Sequence, residues 1–319
     1  MRKEQRKFAD DGWAFWIDGE DTSNIYLNDW LNPKGKSYVD VAIHIHGAKV
    51  SKSLHVYAPF AVSQEEIEDV SLLFEDKKIL QATFSTACIV DYKKNEHASE
   101  IAYNGKTVDI VHISTLEYKV SPLSEGTLIE VDLEKLQPYL DNDEVYFIWR
   151  MPHKSLDEIF HKRINVGNVL SRLVDLITTP VIAEKYNYSI RINEARRLPE
   201  EITRIGSFHR QKLNKAVVTL SVDENYELND AGCSHIRRLE EDLYQGYLPQ
   251  NCKCTDMITY QWIEDRDYNE QGRFHFYYNI AKESISRGSM FLYVVILLAI
   301  GVAGELLSDV VKALFGWNL

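Results

Sequence analysis

The sequence predicts an α+β protein, with mostly antiparallel β-rich cytosolic modules followed by a C-terminal transmembrane helix. Three observations predict this. Short β-branched and aromatic runs, separated by turn residues, recur from Tyr38 to Ile280. Helical periodicity is confined to a few stretches between them. The longest uncharged apolar run, Met290 to Gly304, comes near the end of an otherwise polar chain.

The chain has 319 residues, enough for two domains of ordinary size. With 45% hydrophobic and 11% aromatic residues, it can fill a core and is not a disordered protein. No internal repeat is present. Four cysteines (Cys88, Cys233, Cys252 and Cys254) are too few for a disulfide framework and suit a reducing compartment. The N-terminus, rich in Lys and Arg, has no apolar stretch behind it, so no signal peptide is expected.

Four segments follow from the patterning. Residues 1–36 form an aromatic-rich N-terminal arm, either a docking arm or a first strand with loops, closed by the turn Asn32-Pro-Lys-Gly35. Residues 37–155 form a β-rich domain. Its expected strands are Tyr38–His46, Leu54–Tyr57, Ile79–Val90, Val108–Ile113, Leu128–Val131 and Val145–Trp149. Ser63 and Glu66 have capping-box spacing and predict a short helix through Leu73. Residues 156–284 form a second, α+β ligand-sensing module. Ser155 and Glu158 repeat the capping box, and a helical pattern runs from Val166 to about Ala183, interrupted at Pro180. Strands are expected at Tyr186–Ile192, Ala216–Val222, Met257–Ile263 and Phe274–Ile280, with a helix at Ser234–Tyr244. Residues 285–319 are the transmembrane helix, joined to the last strand by little slack.

Net charge is −12, which argues against general nucleic-acid coating. Residues 150–215 nevertheless hold 13 Lys/Arg against 7 Asp/Glu. Within them, Arg191, Arg196, Arg197, Arg204, His209, Arg210 and Lys212 crowd one strand–loop–strand segment, with Phe208 beside them. Arginine forks suit phosphate oxygens, and an aromatic ring can stack on a base, so these seven residues are the candidate binding site for an anionic nucleotide. The competing reading is Arg–Glu pairing on a sheet surface, with Glu194, Glu200 and Glu201 as partners.

Other constellations carry less. Cys233-Ser-His235 and Cys252-Lys-Cys254 offer four zinc-type ligands, but one-residue spacers are awkward for tetrahedral chelation. His44 and His46 share one face of a strand; a solvated pair explains them as simply as a chelate. Gly35-Lys-Ser37 ends like a phosphate loop, yet Trp30 stands where its first glycine belongs. No catalytic signature is present, so the expectation is a non-enzyme with no metal and no cofactor.

The terminal helix is more specific. Beyond Gly304, apolar residues continue at 3,4 spacing, while Gly301, Glu305, Ser308, Asp309 and Lys312 gather on the opposite face. A straight span takes about 20 residues. Read as one tilted span from Met290 to about Trp317, the helix holds its carboxylates at membrane depth. Copies around an axis would then make these five residues the lining of a cation-favouring pore. In a second reading Glu305 marks the far interface and the last turns lie flat. In a third the helix is soluble and buried in an oligomer. Lys282 and Arg287 precede the run and only Lys312 follows it, so the N-terminal region is expected on the cytoplasmic side.

With the basic segment Arg191–Lys215 and the anchor Met290–Leu319, the plan resembles the transmembrane effectors of bacterial anti-phage defence systems of the Hailong type. The likeness is architectural and covers the whole chain without a shared motif. It implies a homo-tetramer in the bacterial inner membrane, single-pass, forming an ion channel. It also implies control by a short single-stranded oligodeoxynucleotide made by a partner nucleotidyltransferase. Two alternatives stay open: a tail-anchored binding or scaffold protein without a pore, in contact with membrane lipid, and an unrecognised enzyme using the Cys/His set.

Overall fold

A computed structural model describes residues 9–19, 22–31, 36–84, 89–103, 105–153, 182–208, 213–228, 232–248, 256–265, 272–284 and 287–315. The chain divides into two compact units, one of Met1–His161, Asn187–Glu224 and Asn229–Asn279, the other of Lys162–Tyr186, Asn225–Leu228 and Ile280–Leu319. This division runs differently from the four segments of the sequence. The helix expected after Ser155 and residues 166–181 of the one expected from Val166 lie outside the described residues; its expected end, Ile182–Ala183, is strand.

The first unit is a β-sandwich. One sheet contains β1 (Ala9–Ile17), β4 (Ser53–Ala58), β9 (Tyr118–Pro122), β10 (Thr127–Asp132), β12 (Ile182–Ile192) from Asn187 on and β17 (Phe274–Ser284) as far as Asn279, in the order β17-β12-β1-β4-β10-β9. The other contains β2 (Thr22–Trp30), β3 (Tyr38–His46), β6 (Ile89–Lys94), β7 (Ala98–Tyr103), β8 (Lys106–Val111), β11 (Glu144–Pro152), β13 (Leu213–Asp223), β15 (His235–Arg238) and β16 (Met257–Asp265), in the order β15-β16-β13-β2-β3-β11-β8-β7-β6. The two-residue β5 (Glu68–Asp69) also pairs with β11. Pairing is mostly antiparallel, as predicted; β1–β12, β8–β11 and β2–β13 are parallel.

Residues 9–17 and 22–30, expected within an arm, are thus strands of the two sheets. On β2, Ser23, Ile25, Leu27 and Asp29 are buried toward the partner sheet. Between the sheets, Tyr278 donates to Asp29 at 2.9 Å, and the Trp262 and Tyr278 rings stack at 5.3 Å. Asn193 ends β12 in the left-handed region (φ 58°), which Asn tolerates. There its amide accepts from Phe15 N and donates to Phe15 O, extending the ladder to β1. A Cβ on Gly12 would lie 2.4 Å from the Arg197 carbonyl, so only glycine allows the 195–208 segment to approach β1 this closely.

Three sequence expectations are corrected. The segment expected as the strand Ile79–Val90 begins as helix α1 (Lys77–Phe84), because Asp76 accepts from Lys78 N and caps a helical turn that buries Ile79, Leu80 and Ala82. The Ser63–Glu66 box exists, but it closes only the 3-10 turn Gln64–Glu66, because Glu68 and Asp69 turn extended to pair with β11. The helix expected from Ser234 is strand β15, which satisfies the open edge of β16. Only α4 (Glu241–Tyr244) remains helical there, after the short α2 (Leu133–Leu136) and α3 (Glu200–Thr203).

In the second unit, β14 (Tyr226–Leu228) pairs antiparallel with the end of β17, Tyr226 opposite Lys282. Helix α5 (Arg287–Phe315) is continuous over 29 residues.

Candidate functional site

The outer face of the larger sheet is built by strand alternation. Asp40, Ala42, His44 and His46 of β3 point outward, as do Tyr146, Ile148 and Arg150 of β11 across the register. Helix α1 and residues 239–248 cover part of this face, sharing an apolar cluster with Trp30, Ala42, Tyr146 and Ile148. Beneath the cover is a cavity of about 280 Å³. Its wall mixes aromatic rings (Tyr26, Trp30, Tyr146, Tyr244) with neutral hydrogen-bonding groups such as Asn28, Thr219 and Gln261. Arg237 is the cation at its rim; it donates to Tyr244 Oη at 2.8 Å and lies 5.6 Å from the ring centre.

One end of the face is a saturated polar network. Arg150 donates to both Asp40 oxygens, at 2.6 and 3.0 Å, and to the Tyr247 carbonyl at 2.9 Å. Trp30 and Tyr247 also donate to Asp40, at 2.7 and 2.9 Å. Arg150 and Asp40 are fully buried. Burial opposes the guanidinium charge, but Asp40 outweighs it and holds Arg150 protonated. Burial and the neighbouring Asp40 push the Tyr247 hydroxyl well above its ordinary value.

The other end is not saturated. His44 Nε2 lies 3.1 Å and His46 Nδ1 3.8 Å from Glu144 Oε2. Both His44 Nε2 and Glu144 Oε2 are buried, and neither completes a well-aligned hydrogen bond. Lys106 holds the other carboxylate oxygen at 3.1 Å, and the Asn24 amide reaches His46 Nε2 at 3.2 Å. Burial, then the neighbouring His46, brings the His44 pKa down to about 4; burial lowers His46 too. Against its own burial, Glu144 is held below the usual carboxylate range by Lys106 and the imidazoles. The pair expected on a solvated face is therefore half-enclosed: the His44 side chain is only 9% exposed.

The basic segment is a lid over the smaller sheet. Leu198, Ile202 and Phe208 pack on Ala14, Trp16, Tyr57 and Leu128, so Phe208 is core and not a stacking platform. Arg196, Arg197 and Arg204 turn outward, and Arg191 is half-buried. Arg191 donates to Glu194 at 2.7 Å, Arg196 also bonds Glu194, and Arg204 bonds Glu200. Arg197 packs its backbone against Gly12. The segment thus shows the ion pairing that competed with the anion-site reading. His209, Arg210 and Lys212 lie outside the described residues, as do Cys88, Cys252 and Cys254.

On α5, Tyr293–Leu314 is long and apolar enough to cross a membrane and has no buried residue. Gly301, Glu305, Ser308, Asp309 and Lys312 are exposed and share an arc of about 100° at helical spacing. Lys312 pairs with Asp309 at 3.8 Å. The sequence shows the stripe and the shared face of His44 and His46, but not Glu144, Arg237 or the Asp40–Arg150 network. No protein-family model matches the chain, and no curated protein matches it.

Proposed function

We propose that the protein is an oligomeric, single-pass membrane effector whose cation conduction is controlled by an anionic nucleotide or short oligodeoxynucleotide bound to its sandwich unit. One observation carries this reading: α5 is apolar, unburied and continuous, yet holds Glu305 near the middle of its span. At about 1.5 Å per residue, Glu305 lies about 18 Å along a span of about 33 Å. The twelve Leu, Ile and Val side chains of Tyr293–Leu314 favour insertion by about 4–7 kcal/mol. Glu305 and Asp309 together oppose it by about 5–7 kcal/mol if both face lipid at the centre. A lone span is near break-even. Turning the acidic stripe to a water-lined axis removes the opposing contribution and leaves the apolar face to lipid.

The test is ion flux through liposomes containing the purified protein. Wild type conducts cations, and Glu305→Gln/Asp309→Asn changes selectivity and reduces flux. Unchanged selectivity in that variant sinks the pore assignment. A tetramer-sized mass in detergent supports it. The Asp309–Lys312 pair favours a second reading, in which the charges sit neutralised at the far interface of a plain tail anchor. That reading expects no flux and a monomeric or dimeric mass.

Two seats are proposed for the ligand. The arginine lid serves if an anion displaces Glu194 and Glu200; the cavity serves if a base stacks among its aromatic rings with a phosphate at Arg237. Mass spectrometry of the co-purifying anion, compared between Arg196→Ala/Arg197→Ala and Arg237→Ala, separates them. The role in anti-phage defence rests on the architectural resemblance alone. Its test is inner-membrane depolarisation on phage infection, present with wild type and absent with Glu305→Gln/Asp309→Asn.

A further inference from the structure

We propose that His44, His46 and Glu144 form a binding site for one divalent transition-metal ion of the zinc class, at the edge of the cavity on the outer sheet face. Their ligand atoms all lie within 4.8 Å of one another. A tetrahedral zinc ion with bonds of about 2.0–2.1 Å spaces its ligand atoms about 3.3 Å apart. The separations of 3.1 and 3.8 Å from Glu144 Oε2 bracket that spacing.

The stronger argument is what these atoms lack. His44 Nε2 and Glu144 Oε2 face each other at 3.1 Å, buried, and neither completes a well-aligned hydrogen bond. A buried polar atom without a well-formed hydrogen bond is costly and uncommon, and here two lie in contact. One cation between them satisfies both.

The surroundings supply an outer shell. Lys106 occupies Oε1 and leaves Oε2 to the imidazoles; being exposed, it can swing away when a doubly charged ion arrives. Coordination through His46 Nδ1 places that ring's proton on Nε2, where it needs an acceptor. Asn24 stands there, and a half-turn of its amide presents Oδ1 in place of Nδ2. All three ligands sit on adjacent strands, with His46 opposite Glu144 in register, so rigid elements hold them. Two imidazoles and one carboxylate leave coordination positions open. His44 also belongs to the cavity wall, so an open position there can take a ligand's phosphate or a water.

The experiment uses the full-length protein in detergent, stripped with EDTA and titrated with Zn2+ and with Co2+. One ion per chain is expected, with Co2+ giving visible absorption of low coordination number. His44→Asn and Glu144→Gln should each abolish stoichiometric binding, while Asn24→Ala weakens it by about 10–100-fold. Cys252→Ser/Cys254→Ser should bind as wild type does. Because a variant can fail to fold, zinc-edge X-ray absorption of the wild type supplies a second reading, with nitrogen and oxygen neighbours expected. No stoichiometric binding, unchanged affinity in both ligand variants, or sulfur neighbours at the zinc edge overturns the site.

Discussion

The two ends of the β3–β11 pair carry opposite solutions to the same physical problem. At one end Asp40 lies opposite Arg150, and at the other His46 lies opposite Glu144. Both place ionisable groups on a largely covered sheet face, where a charge without partners is costly. Around Asp40 every oxygen is engaged, by Arg150, Trp30 and Tyr247. Around Glu144, one oxygen and its facing imidazole nitrogen are left over. A saturated network locks structure: through Tyr247 it fastens the 239–248 cover to the sheet. An unsaturated one keeps binding capacity in reserve.

The largest expected effect comes from breaking the saturated end. Asp40→Ala leaves the Arg150 guanidinium buried, with Glu68 at 3.9 Å as its remaining acidic neighbour among the described residues. Removing one partner of a buried pair costs about 3–5 kcal/mol, and urea denaturation should show that loss. It should also loosen the cover, seen as faster hydrogen exchange over residues 239–248. A loss below about 1 kcal/mol would mean that water reaches Arg150 and that the network is not structural.

The unsaturated end should respond in the opposite way. In metal-free protein, Glu144→Gln should alter stability by less than about 1 kcal/mol, because it removes a half-paired charge. With Zn2+ at about 100 times its dissociation constant, wild type should gain about 2.7 kcal/mol and the variant nothing. Thermal melts with and without zinc measure both quantities. If Glu144→Gln destabilises as severely as Asp40→Ala, the two ends do not differ and the contrast collapses.

How far the sequence announces these features depends on the range of the interactions behind them. β3, β11, β13 and β16 are legible because one face of each is a run of Val, Ile and aromatic residues. β2 is not, because Asn24 and Asn28 alternate with its apolar positions and Ser23 and Asp29 are themselves buried. The anchor helix is legible because a membrane span is a matter of composition and length. At the site, His44 and His46 share a face by local alternation, and the sequence shows it. Glu144 joins them only through strand pairing about a hundred residues away, which no local pattern encodes. The same holds for Asp40 and Arg150. The arginine lid is the converse case: its charges are conspicuous in sequence, but so are Glu194 and Glu200, and the structure pairs them.

That lid offers the smallest expected effect and extends the contrast to the surface. Glu194 takes hydrogen bonds from Arg191 and Arg196, and chiefly the Arg191 bond holds its carboxyl below the ordinary 4.5 despite some burial. A depressed carboxyl stabilises the fold above its unfolded pKa, and this contribution is lost as pH falls below about 4.5 and through the folded value. Glu194→Gln should therefore cost about 0.2–1 kcal/mol at neutral pH and flatten that part of the acid limb. The same change frees two guanidinium groups. If the lid is the ligand seat, Glu194→Gln should bind an oligodeoxynucleotide more tightly at low salt, with a steeper salt dependence than wild type. If affinity is unchanged while Arg237→Ala abolishes it, the arginines are surface pairing and the ligand belongs to the cavity beside His44.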